Sequence, residues 1–266
     1  MPRLAWLTDL HLNFLSDKQS KAFCAALAST KADCFAFTGD IGEAPDMEHY
    51  LRLLESSLER PIYFVLGNHD FYRGSIAVVR ERVRDLCKRS SHLHWMPEED
   101  VVALSEHTCF VGHDGWGDAR AGNYWESNVV LNDWELIGEF FGLSTAGRQR
   151  VLQQLGDEAA QHFRKFLPKA LKSFQHVIVL THVPPFPQAS LYQGQPSDSH
   201  GLPHFCCQAV GEVLQEIMAL HPEREMTVLC GHTHEAADVQ ILPNLRVLTG
   251  GAEYGHPKLE RVLEVA

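Results

Sequence analysis

Short runs of β-branched and aromatic residues alternate along the chain with longer stretches of helical period. The clearest strand-like runs are Leu4 to Thr8, Cys34 to Thr38, Ile62 to Leu66, Val177 to Thr181 and Thr227 to Cys230. Alternation of this kind is typical of parallel or mixed sheets whose strands are joined by crossover helices. The sequence therefore predicts a layered α/β fold.

The segments between these runs carry apolar residues at helical spacing. Helices are predicted at about Asp17 to Ser29, Asp46 to Leu58 and Ser75 to Arg89, with one or two more between Thr145 and Phe174. We expect Gly156 and Pro168 to interrupt this last stretch. The length of 266 residues gives a prior of about two domains. The polar groups described below have to meet in one site, however, so one domain over residues 1–266 fits better.

Charge and cysteine content limit the partners and the compartment. Thirty-four acidic and 23 basic residues give a net charge of -11, which disfavours nucleic acid as a partner. The seven cysteines form no CxxC pair, so neither a disulfide framework nor a thiolate zinc site is expected. No signal-peptide pattern and no run of 18 apolar residues is found, so no membrane association is expected. These features together predict a cytoplasmic protein.

Each strand-like run ends in side chains that can bind a metal ion. They are Asp9 and His11, then Asp40, then Asn68 with His69 and Asp70, then His182, then His232 and His234. In open α/β sheets ligands bind at the carboxyl ends of the strands, so these dispersed positions are predicted to converge. Residues i and i+2 of an extended segment point the same way, which allows each D-x-H or H-x-H pair to present two ligands.

Glycines precede three of these groups, at Gly39, Gly67 and Gly231. A glycine lets the chain leave a strand sharply and brings the backbone close to a bound ion. Nitrogen and oxygen ligands without a thiolate favour Mn, Fe or Zn over a calcium cage.

Each group alone also has an ordinary explanation. Asp9 or Asp40 in isolation fits a helix N-cap, and the run from Gly67 to Asp70 fits a turn. A single H-x-H is more often a pair of surface residues than a metal site. These explanations do not account for the joint occurrence of all the groups after apolar strands.

The motifs D-x-H, G-D, G-N-H-D, H and G-H-x-H, in this order, resemble those of the calcineurin-like metallophosphoesterases, a family with a binuclear metal centre. The resemblance covers nearly the whole chain apart from Gly112 to Phe141. It implies a layered β-sandwich flanked by helices. An insertion is expected between the third and fourth metal motifs, where a Gly-, Trp- and Asp-rich stretch, Gly112 to Glu126, precedes an aromatic segment, Trp134 to Phe141. We place it at about 112–175.

The resemblance also implies roles for individual residues. One metal ion would be held by Asp9, His11, His234 and Asp40, and the other by Asp40, Asn68, His182 and His232. In this arrangement Asp40 bridges the two ions. His69 would face the substrate, either as a proton donor to the leaving group or as a hydrogen-bond donor to the phosphoryl oxygens. Asp70 would orient His69 and keep it protonated.

The function implied is hydrolysis of a small phosphate ester, by in-line attack of a metal-bound hydroxide on phosphorus. The motifs leave open whether the substrate is a monoester or a diester such as a nucleotide or cyclic nucleotide. A nuclease is disfavoured by the acidic charge. A non-catalytic scaffold with this fold is the alternative of another class, and the complete set of ligands together with His69 argues against it.

Two further residues are candidates for substrate binding. His113 and Arg120 follow the apolar pair Phe110-Val111, so they are predicted to reach the mouth of the site. The guanidinium of Arg120 offers a planar fork for a phosphate group. A surface salt bridge is an equally good explanation for Arg120, and a glycine-rich turn explains the aspartates beside it.

Overall fold

Two β-sheets form the centre of the protein in the computed structural model, which describes residues 1–265. The first sheet has the strand order β13-β1-β2-β3-β4. Its strands are β1 (Arg3–Leu7), β2 (Cys34–Thr38), β3 (Ile62–Val65), β4 (Leu93–Trp95) and β13 (Arg261–Glu264). Strands β1 to β4 are parallel, and β13 closes the edge in antiparallel pairing with β1.

The second sheet has the strand order β11-β12-β10-β7-β6-β5. Its strands are β5 (Val102–Ala103), β6 (Thr108–Gly112), β7 (His176–Leu180), β10 (Glu225–Cys230), β11 (Ala237–Leu242) and β12 (Leu245–Thr249). The four central strands are parallel and both edge strands are antiparallel. A small hairpin of β8 (Leu191–Tyr192) and β9 (Gln195–Pro196) lies in the long loop after β7.

The helices are α1 (Asp17–Ala28), α2 (Met47–Leu58), α3 (Ile76–Cys87), α4 (Asp133–Leu136), α5 (Thr145–Ser173), α6 (Leu202–Phe205) and α7 (Gln208–Ala219). All five predicted strands, and the three helices predicted before residue 90, are confirmed to within two residues at each end. No helix in residues 1–265 is both long enough and apolar enough to cross a bilayer.

Alternate residues of each strand face different layers. In β1, Leu4 and Trp6 join Ala36 and Ile178 in a core between the two sheets, whereas Ala5 points to the other side. That other side of the first sheet packs on α1, α2 and α3, and the outer side of the second sheet packs on α5 and α7. The period-two alternation of strands thus produces four layers, helix, sheet, sheet and helix, and the predicted layered β-sandwich is confirmed.

The stretch 112–175 was predicted to be an insertion, and its boundaries stay a prediction. Within it, α5 belongs to the layered fold, because it packs against β6, β7 and α7. The segment before α5 packs against the first sheet instead. It packs Trp116, Trp134, Ile137 and Phe140 into the core on the helix side of the first sheet.

The predicted interruptions of the long helix are wrong, because α5 continues from Thr145 to Ser173. Pro168 lies inside it, where its neighbours Leu167, Ala170 and Leu171 are buried against the second sheet. Burial of this apolar face offsets the hydrogen bond that a proline removes. Gly156 lies on the same buried side, where a Cβ would come 2.5 Å from the Cβ of Asp118.

We therefore expect Gly156→Ala to destabilise the protein, although alanine is the better helix former by about 1 kcal/mol. The methyl group would displace the Asp118 loop, and overpacking of this kind costs about 1–3 kcal/mol. Denaturant unfolding would measure the change. Gly138→Ala is the matched control, because its Cβ would make ordinary contacts of 3.4 Å or more. Equal stability of the two variants would contradict this explanation of Gly156.

Candidate metal centre

The carboxyl ends of β1, β2 and β3 in the first sheet meet those of β7 and β10 in the second. The loop after each strand carries one of the motifs found in the sequence. The structure brings Asp9, His11, Asp40 and His234 together, with their ligand atoms all within 4.8 Å of one another. Nε2 of His11 is 3.0 Å from Nε2 of His234, and Oδ2 of Asp40 is 3.7 Å from Nε2 of His11. We call these four residues the first ligand group.

We call Asp40, Asn68, His182 and His232 the second ligand group, because their nitrogen and oxygen atoms could also hold an ion. Nε2 of His182 lies 3.3 Å from Oδ1 of Asn68, 3.2 Å from Nδ1 of His232 and 3.5 Å from Oδ1 of Asp40. Asp40 belongs to both groups, since Oδ2 faces His11 and Oδ1 faces His182.

In His182, His232 and Asn68, a hydrogen bond made by one polar atom of the side chain determines which other atom points to the centre of the second ligand group. Nδ1 of His182 donates to the carbonyl of Thr38 (2.8 Å), and Nε2 of His232 donates to the carbonyl of His204 (3.2 Å). The side-chain nitrogen of Asn68 donates to Asp133 (2.9 Å). The remaining atoms, Nε2 of His182, Nδ1 of His232 and Oδ1 of Asn68, therefore meet as lone pairs without a hydrogen between them. Such an arrangement fits a cation.

The backbone at the ligands is unusual. Asp9, His11, Asp40, His232 and His234 all have positive φ angles, between 44° and 73°. The D-x-H and H-x-H pairs therefore present their ligands from left-handed turns, and the extended geometry assumed from the sequence is wrong. Strained backbone of this kind costs about 1–3 kcal/mol per residue and is concentrated at functional sites.

The glycines before the ligands are explained by close approach of other ligands. Gly39 has a φ of +95°, and a Cβ there would collide with the ring of His182. A Cβ at Gly67 would overlap the carboxylate of Asp40, and one at Gly231 would overlap that of Asp9. The space that a side chain would need is already occupied by a ligand.

Burial controls the protonation of the group. It lowers the pKa of His11 to about 2 and the pKa of His232 to about 3, which keeps both imidazoles neutral and able to bind a metal ion. Burial also raises the pKa of Asp40, and the neighbouring carboxylate of Asp9 raises it further. Two buried carboxylates in one cluster repel each other, and a bound cation would offset that repulsion.

The ligand groups lie at the floor of a cleft of about 590 Å³, within the usual range for small-molecule sites. Asp40, Asn68, His232 and His234 line this floor together with His69. The walls are formed by residues 128–133, by parts of the loop between β7 and α7, and by Tyr254.

A model of the calcineurin-like phosphoesterase family matches residues 2–236. The chain belongs to this family. Its members depend on two metal ions, and the chain is accordingly a metal-dependent hydrolase. No curated protein matches the sequence at a significant level.

Solved structures show the same fold. Phosphopantetheinyl hydrolase from Mycobacterium tuberculosis is 16% identical and has a TM-score of 0.65, covering 94% of this chain and 89% of that one. A dimetal phosphatase from Danio rerio is 14% identical and has a TM-score of 0.58, covering 94% and 87%. At these identities the likeness concerns the fold.

In this phosphoesterase the predicted catalytic residues have different surroundings. His69 lines the cleft, and its ring packs on Tyr72 (4.2 Å between centroids) and against His11 (4.7 Å). Asp70 is fully buried, and its two oxygens accept from the backbone N–H groups of Gly42 and Gly67. The expectation that Asp70 orients the His69 ring is therefore wrong. Its carboxylate connects the Asp40 loop to the Asn68 loop.

The two predicted substrate-binding residues lie away from the cleft. Arg120 pairs with Asp118 (3.2 Å) and with Asp157 of α5 (2.8 Å), so the salt-bridge alternative is the right one. His113 lies in a separate depression beside α5, 3.7 Å from Glu158. The strand β6 that precedes both residues is separated from β10 by β7, and both side chains contact acidic residues of α5.

Sequence reasoning missed Asp133, the first residue of α4. Its side chain is 1% exposed and accepts from Asn68 (2.9 Å) and from the hydroxyl of Tyr72 (2.8 Å). These contacts hold the Asn68 amide with its oxygen toward the second ligand group. Asp133 follows no strand and belongs to none of the motifs, so the sequence contains no signal for it.

We expect Asp133→Ala to weaken metal binding at the second ligand group by about 10- to 100-fold. Without Asp133, the Asn68 amide gains a hydrogen bond by turning over, because its oxygen then accepts from Tyr72 and its N–H groups face the histidines. Metal titration followed by elemental analysis would measure the loss. Tyr72→Phe is the control, since it keeps the bond between Asn68 and Asp133. Unchanged metal affinity in Asp133→Ala would contradict the positioning role.

Proposed function

We propose that the protein hydrolyses a P–O bond of a small phosphate ester at a centre of two metal ions. The observation that carries the proposal is the pair of ligand groups that share Asp40, with its two oxygens directed to different histidines. A carboxylate placed in this way suits two cations about 3.5–4 Å apart, the spacing used for displacement at phosphorus.

The contacts among these side chains support one ligand set for each ion. Asp9, His11 and His234 would hold one ion with Asp40, and Asn68, His182 and His232 would hold the other with Asp40. These nitrogen and oxygen donors suit Mn, Fe or Zn. When bound, the ions supply Lewis acidity to the phosphoryl oxygens and make a water molecule acidic enough to attack at neutral pH.

The remaining chemistry is assigned to His69. It lines the cleft beside Asn68, its backbone N–H donates to Oδ1 of Asp40 (2.9 Å), and its ring lies 4.7 Å from that of His11. The packing of this ring between His11 and Tyr72 limits its orientation. We assign its imidazole to the substrate, as a donor to the phosphoryl or leaving oxygen.

We place this activity in a reducing compartment such as the cytoplasm. All seven cysteines are free, and Cys87 is the one of them that is not fully buried. Burial raises the pKa of Cys109 and of Cys207 to about 12, which keeps these thiols protonated and unreactive.

The test of the proposal is hydrolysis by metal-stripped protein that has been reloaded with Mn, Fe, Zn or Mg. We expect p-nitrophenyl phosphate or its bis-ester to be hydrolysed only after reloading, and the ratio of the two rates separates a monoesterase from a diesterase. His182→Asn is the control, because it removes one ligand of the second group. Absence of hydrolysis with every metal and both esters would favour the non-catalytic scaffold.

The role of His69 can be separated from metal binding. We expect His69→Asn to keep both ions and to lose about 10²- to 10⁴-fold in rate. If His69 protonates the leaving group, the loss is smaller for p-nitrophenolate, which departs without a proton, than for an alkyl alcohol. If it stabilises phosphoryl oxygens, both esters suffer alike. Metal loss equal to that of His182→Asn would show that His69 is itself a ligand.

A further inference from the structure

The charge of the cleft is unusual for an enzyme that binds phosphate esters. Among the described residues that line it, none is lysine or arginine. The acidic residues that line it are Asp40 on the floor, Asp133 behind Asn68, and Asp198 at the rim. A phosphate ester would therefore find its positive partners at the floor, where the two ions would bind and His69 lies.

The position of this charge limits the substrate to one anionic group. A phosphoryl group can lie against the floor, but a second phosphate or a carboxylate on the leaving group would find no lysine or arginine among the described residues of the walls. It would also experience the net charge of -11 carried by the chain. Unpaired like charge of this kind is a device that rejects the wrong ligand.

The walls are mixed, and their apolar and aromatic part begins directly beside the ligands. The ring of Phe205 is 5.3 Å from that of His232, and the ring of Tyr254 is 4.9 Å from that of His234. Further from the floor, the wall continues with Val129, Val130 and Tyr192.

The outer part of this wall is exposed to solvent. Val130 is 85% exposed and Tyr192 is 67% exposed. Large apolar groups gathered at the rim of a cleft are typical of a binding surface. These residues and Phe205 line the same cleft as the ligands on the floor, so the apolar rim and the floor are open to one ligand.

We propose that the cleft selects phosphate esters whose alcohol is uncharged and apolar or aromatic, and that it rejects esters with a second anionic group. This inference rests on the proposed phosphoesterase function. The cleft volume of about 590 Å³ suits an organic group of the size of a typical small-molecule ligand.

The first experiment compares two esters of equal shape, (carboxymethyl)phenyl phosphate and (carbamoylmethyl)phenyl phosphate, with the metal-loaded full chain. The methylene group keeps the two phenols similar as leaving groups. We expect kcat/KM to be at least about fivefold higher for the neutral amide, the effect of one unit charge at contact distance in water. Equal values, or a preference for the carboxylate, would overturn the inference.

The second experiment places a cation on the wall. Val130→Lys should raise kcat/KM for the carboxylate ester relative to the amide by a similar factor, because the ammonium supplies the missing partner. Leu220→Lys is the matched control, since Leu220 is 74% exposed at the end of α7 and lies outside the cleft. An equal change in both variants would show that overall charge, and not the cleft wall, sets the preference.

The third experiment measures the apolar contribution with ethyl, butyl and hexyl phosphate. We expect kcat/KM to rise by up to about fourfold per methylene that reaches the wall. We expect Val130→Thr to reduce this slope. A flat series would overturn the inference while leaving the proposed function intact. Failure to hydrolyse any ester with any metal would overturn the proposed function as well, so the two failures are distinguishable.

Discussion

Asp9 and Asp40 place two carboxylates in one cluster, and each is only 1% exposed. Around them lie histidine nitrogens and the oxygen of Asn68. In His182, His232 and Asn68, the other polar atom of the side chain donates its hydrogen to a neighbouring oxygen. Buried negative charge and facing lone pairs are unfavourable without a cation. The architecture around this cluster serves to hold these atoms in place against their mutual repulsion.

Two rigid sheets supply the restraint. Each ligand follows a buried parallel strand by a few residues, so the backbone next to it is fixed by the sheet ladders. Connections between loops add to this, as in the carboxylate of Asp70, which accepts from the loops of both Asp40 and Asn68. Five ligands can therefore persist in left-handed backbone conformations that would relax in a flexible loop.

The floor and the walls of the cleft have different origins in the chain. The floor is built from the strand-end motifs, all of which lie within the family match over residues 2–236. The walls come from irregular segments, residues 128–133, the loop between β7 and α7, and Tyr254. One wall segment reaches the floor, since Asp133 binds Asn68. Through this contact the segment that shapes the substrate side of the cleft also orients a ligand.

The sequence by itself determined the strands, the layered architecture and the identity of the residues at the floor. Those features depend on period-two apolar runs and on side chains directly after them, and both are local in the chain. The sequence also suggested that Gly156 would break α5. In the tertiary structure α5 is continuous, and the absence of a side chain at Gly156 leaves room for Asp118.

Other assignments depended on which distant segments meet, and only the tertiary structure decided them. Arg120 and His113 have the right chemistry to bind a phosphate, but both lie against α5. There Arg120 pairs with Asp157, and His113 lies beside Glu158. Asp133 has no local signal, and it contacts Asn68 because the segment before α5 folds over the first sheet. The sequence gives the chemical type of each side chain directly. The partners of these side chains depend on packing between segments that are far apart in the chain.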